Sequence, residues 1–125
     1  MAYGEAIILD RLGSVELEPA RPVIYDRDIG LRLLHRDPAT GAEHYVVRYP
    51  AGLRAVAHRH TAAQTIVVLE GRLHVNDRVI GPGGYCHVPP GETMRHAPAG
   101  GDPCLFLTVF HGPFDVEPVD DGRAP

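Results

Sequence analysis

The residues of this chain best suited to chemistry are two histidines two positions apart, His58 and His60. They are followed by Gln64 and Gly71 and answered further on by Pro89-Pro90-Gly91 and His96. In an extended strand successive side chains alternate faces, so residues 58 and 60 point the same way, about 6 to 7 Å apart. Two imidazoles so placed can converge on one metal ion. Alone, the pair is unspecific: with 8 His in 125 residues, chance places about half an H-x-H somewhere in such a chain. Specificity has to come from the elements that carry it.

Those elements read as strands. Short apolar runs recur at residues 5–9, 31–35, 44–49, 55–60, 64–69, 73–75, 85–88, 93–97 and 104–110, separated by Gly, Pro and Asp. That spacing predicts a sandwich or barrel of antiparallel strands. Asp37-Pro38-Ala39-Thr40-Gly41 is a turn cluster between two runs that can pair as a hairpin, while Glu70-Gly71 and Asn76-Asp77 mark later turns. Residues 10–18 have weak helical spacing, broken by Gly13 and stopped by Pro19. If His58 and His60 face inward, Arg59 faces out, and the next strand presents Gln64, Ile66 and Val68 to one face and Thr65, Val67 and Leu69 to the other. Both sets are largely apolar, which predicts a strand buried on both sides, with Gln64 needing a polar partner.

Composition bounds the rest. A chain of 125 residues is one ordinary domain, and 14 Gly with 12 Pro fit many turns rather than a helical bundle. The net charge of −4 and scattered basic residues give no footprint for nucleic acid. No window resembles a transmembrane span, and residues 1–10 lack the pattern of a secretory leader, so a cytoplasmic protein is expected. Cys86 and Cys104 match neither C-x-x-C spacing nor a disulfide framework and read as reduced thiols. The segment 112–125, rich in acid, Gly and Pro, is a tail either strapped across the surface or frayed.

Written as spacing, the centre of the chain is Gly52-x5-His58-x-His60-x3-Gln64-x6-Gly71, followed by Gly83-x5-Pro89-x-Gly91 with His96 beyond. This resembles the two motifs of the cupin superfamily, over roughly residues 45–110 of a single domain spanning 1–125. The resemblance implies an all-β fold, the double-stranded β-helix, a jelly-roll-like antiparallel barrel. It also implies a metal held by His58, His60 and His96. Two departures stand out. The acidic ligand usual after H-x3 is replaced by Gln64, and the motif-two histidine is replaced by Met94, with His96 two residues on. Either the turn after Gly91 is longer and brings His96 to the ligand position, or Met94 lines the pocket and His96 reaches in from a deeper level. The first is favoured because imidazole suits first-row divalent ions whereas thioether suits soft ones.

Three neutral imidazoles without a carboxylate would leave one divalent ion its full charge. Fe(II) is favoured, with Zn(II), Ni(II), Mn(II) and Cu(II) open. A monoanionic bidentate ligand then becomes favourable, such as an enolate, a hydroxy-ketone or a catechol-like oxygen pair. Within the superfamily the likeness is to small acetylacetone- and dihydroxyacetophenone-cleaving dioxygenases and to the cupin half of zinc-binding anti-sigma factors. It is carried by Val68-Leu69-Glu70-Gly71-Arg72-Leu73, Val88-Pro89-Pro90-Gly91 and Phe110-His111-Gly112-Pro113-Phe114-Asp115. Gln64 is a weak ligand or a holder of bound water, since an amide both donates and accepts, and it is no strong base.

The remaining candidates each have a plainer reading. Tyr85, Phe106 and Met94 shape an apolar pocket or are simple core. His111 lines the barrel mouth or caps a strand, and His74 and His87 read as ordinary histidines. Arg54, Arg72 and Arg95 read as solvated surface. The expectation is therefore an Fe(II) dioxygenase using a small-molecule substrate and O₂. A metal- or ligand-sensing module without catalysis, or a metal-assisted isomerase or lyase, is the alternative. A homodimer is expected, with the apolar residues 6–9 covering a sheet edge.

Overall fold

The computed structural model describes residues 5–123. Its strands are β1 (Glu18–Ala20), β2 (Ile29–Arg36), β3 (Glu43–Tyr49), β4 (His58–Arg59), β5 (Gln64–Glu70), β6 (Leu73–Val75), β7 (Arg78–Ile80), β8 (Tyr85–Val88), β9 (His96–Pro98), β10 (Cys104–Phe110) and β11 (Glu117–Pro118), with a single 3-10 turn at Leu12–Ser14. Six of them form an antiparallel sheet in the order β1-β2-β3-β10-β5-β8. The second layer joins the sheet β7-β6-β9 to the pair β11-β4. The two parts of that layer meet where the backbones of His58 and Met94 exchange two hydrogen bonds of 2.8 Å. The result is the expected double-stranded β-helix.

The hub of the large sheet is β10. It pairs with both β3 and β5, and its alternation turns Cys104, Phe106, Thr108 and Phe110 inward, all buried. Ile29, Val47, Tyr49, Leu53, Ile66, Val68 and Leu73 join them in the core between the layers. The β2–β3 hairpin closes where Asp37 N–H donates to Ala42 O and Gly41 N–H donates to Asp37 O, each at 2.8 Å. The turn from β5 to β6 needs Gly71: its φ is +74°, and a Cβ there would run into the Pro103 carbonyl oxygen.

Several expectations need correction. Residues 5–9 form no strand, because the sheet edge beside β2 is taken by β1; Ile8 is left 85% exposed. The run 55–60 contributes only an isolated bridge at Ala55 and the two residues of β4, and the run 93–97 gives way to the bridge at Met94 and β9. The short strands β1, β7 and β11 carried too little apolar alternation to be read. In β5, Gln64, Ile66 and Val68 are buried but Thr65, Val67 and Leu69 are only half-buried, since they lie on the outer face of the six-stranded sheet.

The tail is strapped rather than frayed through residue 121. Glu117 and Pro118 pair with Arg59 and His58, Val119 N–H donates to Ala57 O at 2.8 Å, and Arg95 bridges to Asp121 at 2.9 Å. It thus braces the short strand that carries the histidine pair. Among the described residues no helix is long and apolar enough to cross a membrane.

Candidate metal centre

β4 is only two residues long, and its geometry comes from both flanks. Met94 pairs with His58 on one side, and the tail pairs with β4 on the other. Alternation sends Arg59 outward, where its guanidinium meets Glu117 at 2.8 and 3.1 Å, and sends His58 and His60 into the barrel, 0% and 6% exposed. His96, the first residue of β9, arrives from the neighbouring strand and is 2% exposed. One nitrogen of each ring lies within 4.8 Å of those of the other two.

The other nitrogen of each ring is held by the protein. His58 Nδ1 lies 3.1 Å from Val56 O, His60 Nδ1 lies 2.5 Å from Asp115 O, and His96 Nδ1 lies 2.5 Å from Tyr49 Oη. Carbonyl oxygens only accept, so His58 and His60 carry their hydrogens on Nδ1 and present bare Nε2 lone pairs to the cavity. His60 Nε2 is buried with no hydrogen-bond partner, and His58 Nε2 faces His96 Nε2 at 3.2 Å. Two imidazole nitrogens bound to one ion at about 2.1 Å stand at about that separation from each other. The orphaned lone pair, the facing nitrogens and the anchored Nδ1 atoms all fit one divalent cation.

Electrostatics agree with that fit. Burial brings the His58 pKa down to about 4, against the opposing effect of its bond to Val56. Burial also lowers His60, and it lowers His96 well below the usual histidine range, where repulsion from a protonated His58 or His60 acts in the same direction. All three rings are therefore neutral at pH 7, the state a metal requires. Gln64, 2% exposed, stands beside them. Its Nε2 donates to Thr108 Oγ1 at 3.0 Å, and its buried Oε1 has no partner.

These groups line a cavity of about 50 Å³, whose walls are chiefly Ile24, Tyr25, Ile29, Val47, Tyr49, Phe106, Phe110 and Phe114. Phe106 thus lies where pocket lining was expected. Tyr85, Met94 and His111 do not line it. Tyr85 pairs with Val67 on the outer face of the sheet and is 62% exposed. His111 Nε2 meets Thr65 Oγ1 at 2.8 Å on that same face, where His87 Nδ1 meets the same oxygen at 3.0 Å. Met94 is buried, but its role is the backbone pairing that positions β4, and it is His96 that joins the cluster. His74 is exposed on β6, and none of Arg54, Arg72 and Arg95 reaches the cavity.

Tyr25, Tyr49, Thr108, Phe114 and Asp115 also belong to the site and are not among the residues singled out by type and spacing. Tyr49 and Thr108 were recoverable from alternation along β3 and β10. Tyr25 sits in a loop without periodicity, and Phe114 and Asp115, though part of the ending 110–115 that carries the family likeness, sit where no alternation singles out an inward side chain.

A family model described as the ChrR cupin-like domain matches residues 19–115. Among solved structures, an acetylacetone dioxygenase from Acinetobacter johnsonii superposes with a TM-score of 0.77 at 18% identity, over 98% of this chain and 83% of that one. The polyketide cyclase RemF from Streptomyces resistomycificus superposes with a TM-score of 0.69 at 22% identity, over 90% and 86%. The structure of Rhodobacter sphaeroides SigE in complex with the anti-sigma ChrR gives 0.64 at 17% identity, over 81% of this chain and 52% of that one. No curated protein matches significantly by sequence. At these identities the likenesses establish the shared fold.

Proposed function

The chain belongs to the ChrR cupin-like domain family, and from that membership and the geometry of its cavity we propose that it is a mononuclear metal-dependent enzyme, an Fe(II) dioxygenase. Its substrate would be a small bidentate enolate, hydroxy-ketone or catechol-like molecule. The observation that carries the reading is the set of three inward Nε2 atoms with no carboxylate beside them. A dication held by neutral imidazoles in an apolar cavity keeps its charge, and a monoanionic chelating substrate compensates it.

When bound, the ion would supply Lewis acidity and one-electron exchange with O₂. His58, His60 and His96 would hold it. Gln64 Oε1, fixed toward the cavity, would accept a hydrogen bond from an O–H of substrate or water and would not compete as an anion. Ile24, Phe110 and Phe114 wall the cavity and keep bulk water from the reacting atoms. Likeness to an acetylacetone dioxygenase supports the substrate class.

A second reading, a metal- or ligand-sensing module without turnover, is favoured by the family description and the likeness to the anti-sigma ChrR. A metal-assisted isomerase or lyase has the cyclase likeness in its favour but lacks a strong acid or base in the cavity.

Metal analysis of untagged protein, followed by oxygen uptake of the Fe(II)-loaded form against diketones, hydroxy-ketones and catechols, separates these readings. Stoichiometric metal with substrate-dependent oxygen uptake is the expected result. Tight metal binding without uptake on any member of the panel would favour the sensor.

A further inference from the structure

The three rings are not equivalent, because their Nδ1 partners differ. His58 and His60 face carbonyl oxygens, which accept and never donate. His96 faces the Tyr49 hydroxyl, which can do either, and the Tyr49 hydroxyl in turn contacts the hydroxyl of Tyr25. Tyr25 also lines the cavity. The chain Tyr25–Tyr49–His96 therefore has two possible directions, and the Nε2 end decides between them.

Without an ion, His58 Nε2 is a lone pair facing His96 Nε2 at 3.2 Å. A direct hydrogen bond across that contact in the metal-free state takes its hydrogen from His96, since His58 Nε2 offers only a lone pair. His96 Nδ1 then accepts from Tyr49, Tyr49 accepts from Tyr25, and the Tyr25 hydrogen is used up inside the chain. A cation on His96 Nε2 moves that ring's hydrogen to Nδ1. His96 then donates to Tyr49, Tyr49 donates to Tyr25, and the Tyr25 hydrogen is released toward the cavity that this side chain lines.

We propose that metal loading reverses the Tyr25–Tyr49–His96 hydrogen-bond chain and so converts Tyr25 into the donor that binds a carbonyl or enolate oxygen of the ligand. The inference rests on the three histidines holding a metal, and it makes Tyr25 a ligand-specificity residue and Tyr49 a positioning residue. No net proton is gained or lost: each hydrogen in the chain shifts from one hydrogen-bond partner to the other, with His96 exchanging one tautomer for the other. Burial of both tyrosines keeps them protonated throughout. Gln64 Oε1, which has no partner, supplies only an acceptor, so Tyr25, which lines the same cavity, would supply the donor.

The test is histidine ¹⁵N NMR of the full chain before and after one equivalent of Zn(II), which reports the tautomer of each ring. Expected is a switch from Nε2–H to Nδ1–H in His96 alone, with His58 and His60 at Nδ1–H in both states. Zn(II) binding with His96 already at Nδ1–H beforehand overturns the proposal while leaving the metal reading intact. Failure to bind Zn(II) or Fe(II) at all overturns the metal reading first. As a second measurement, Tyr25→Phe should bind Zn(II) as the wild type does but hold acetylacetonate about tenfold more weakly in the loaded form. Tyr49→Phe should weaken both, by about tenfold or more for the metal. Equal acetylacetonate affinity in loaded Tyr25→Phe and wild type also overturns the proposal.

Discussion

Gln64 Nε2 donates to Thr108 Oγ1 at 3.0 Å, and the Thr108 hydroxyl passes its own hydrogen to Thr65 O, also at 3.0 Å. With that hydrogen committed, Thr108 can only accept from the amide, so the carbonyl end of Gln64 faces the cavity. The amide therefore presents a neutral acceptor beside the three imidazoles. Gln64→Glu replaces it with an anion of nearly the same shape. Divalent-metal affinity should rise about tenfold and acetylacetonate affinity of the loaded protein should fall by a similar factor, both by calorimetry. Stronger binding of the anionic ligand in this variant would contradict the electrostatic account.

The histidines separate by burial into site and surface. His58→Ala and His60→Ala should each abolish stoichiometric metal binding and any substrate-dependent oxygen uptake. His74→Ala, at an exposed position on β6, should change neither. Oxygen uptake that survives in His58→Ala excludes the proposed enzyme.

The pH dependence has a defined sign. His58 titrates at 6.5 in the unfolded chain and at about 4 in the native state, lowered chiefly by burial. Between those values the unfolded chain binds a proton that the native state refuses, so stability is full above about pH 6.5 and is lost as pH falls toward 4. His58 alone accounts for roughly 3 kcal/mol, and His60 and His96 act in the same direction. The metal-free protein should lose about 10 °C or more in Tm across that window. Zinc affinity should fall less steeply below pH 7 than for three free imidazoles, because burial holds each ring's pKa under the usual histidine value. A flat Tm over the same range would mean that the rings are not buried as neutral groups.

Asp115 ties the tail to the site twice. Its carboxylate accepts from Thr61 N–H at 2.8 Å and from the Thr61 hydroxyl, while its carbonyl takes the Nδ1 hydrogen of His60. Asp115→Ala keeps the carbonyl but frees the segment that aims it. Metal affinity should drop about three- to tenfold, with faster amide exchange across residues 113–119. Unchanged affinity would show that His60 is oriented without the tail.

Two motif glycines should respond differently to the same change. Both adopt positive φ, +74° at Gly71 and +76° at Gly91, but a Cβ on Gly71 collides with backbone and one on Gly91 meets nothing within 4 Å. Gly91→Ala should cost about 1 kcal/mol from conformation alone. Gly71→Ala should cost roughly 3 kcal/mol or fail to fold. Equal losses in chemical denaturation would refute the steric distinction.

What this sequence determined by itself is local and periodic. A two-residue alternation put His58 and His60 on one face and paired Gln64 with Ile66 and Val68, and the spacing of glycines and Pro89-Pro90-Gly91 marked the turns of the barrel and pointed to His96 beyond them. These follow from backbone geometry within a few residues, which any extended chain obeys. The tertiary structure alone decided what each ring nitrogen meets. Tyr25, Tyr49, Thr108 and Asp115 come from a loop, two central strands and the tail, and they converge because β10 lies between β3 and β5 and the tail pairs with β4. Sheet order and strapping are long-range pairings that no local period encodes. For the same reason His111 and Tyr85, as suggestive in sequence as Tyr49, face outward from the sheet.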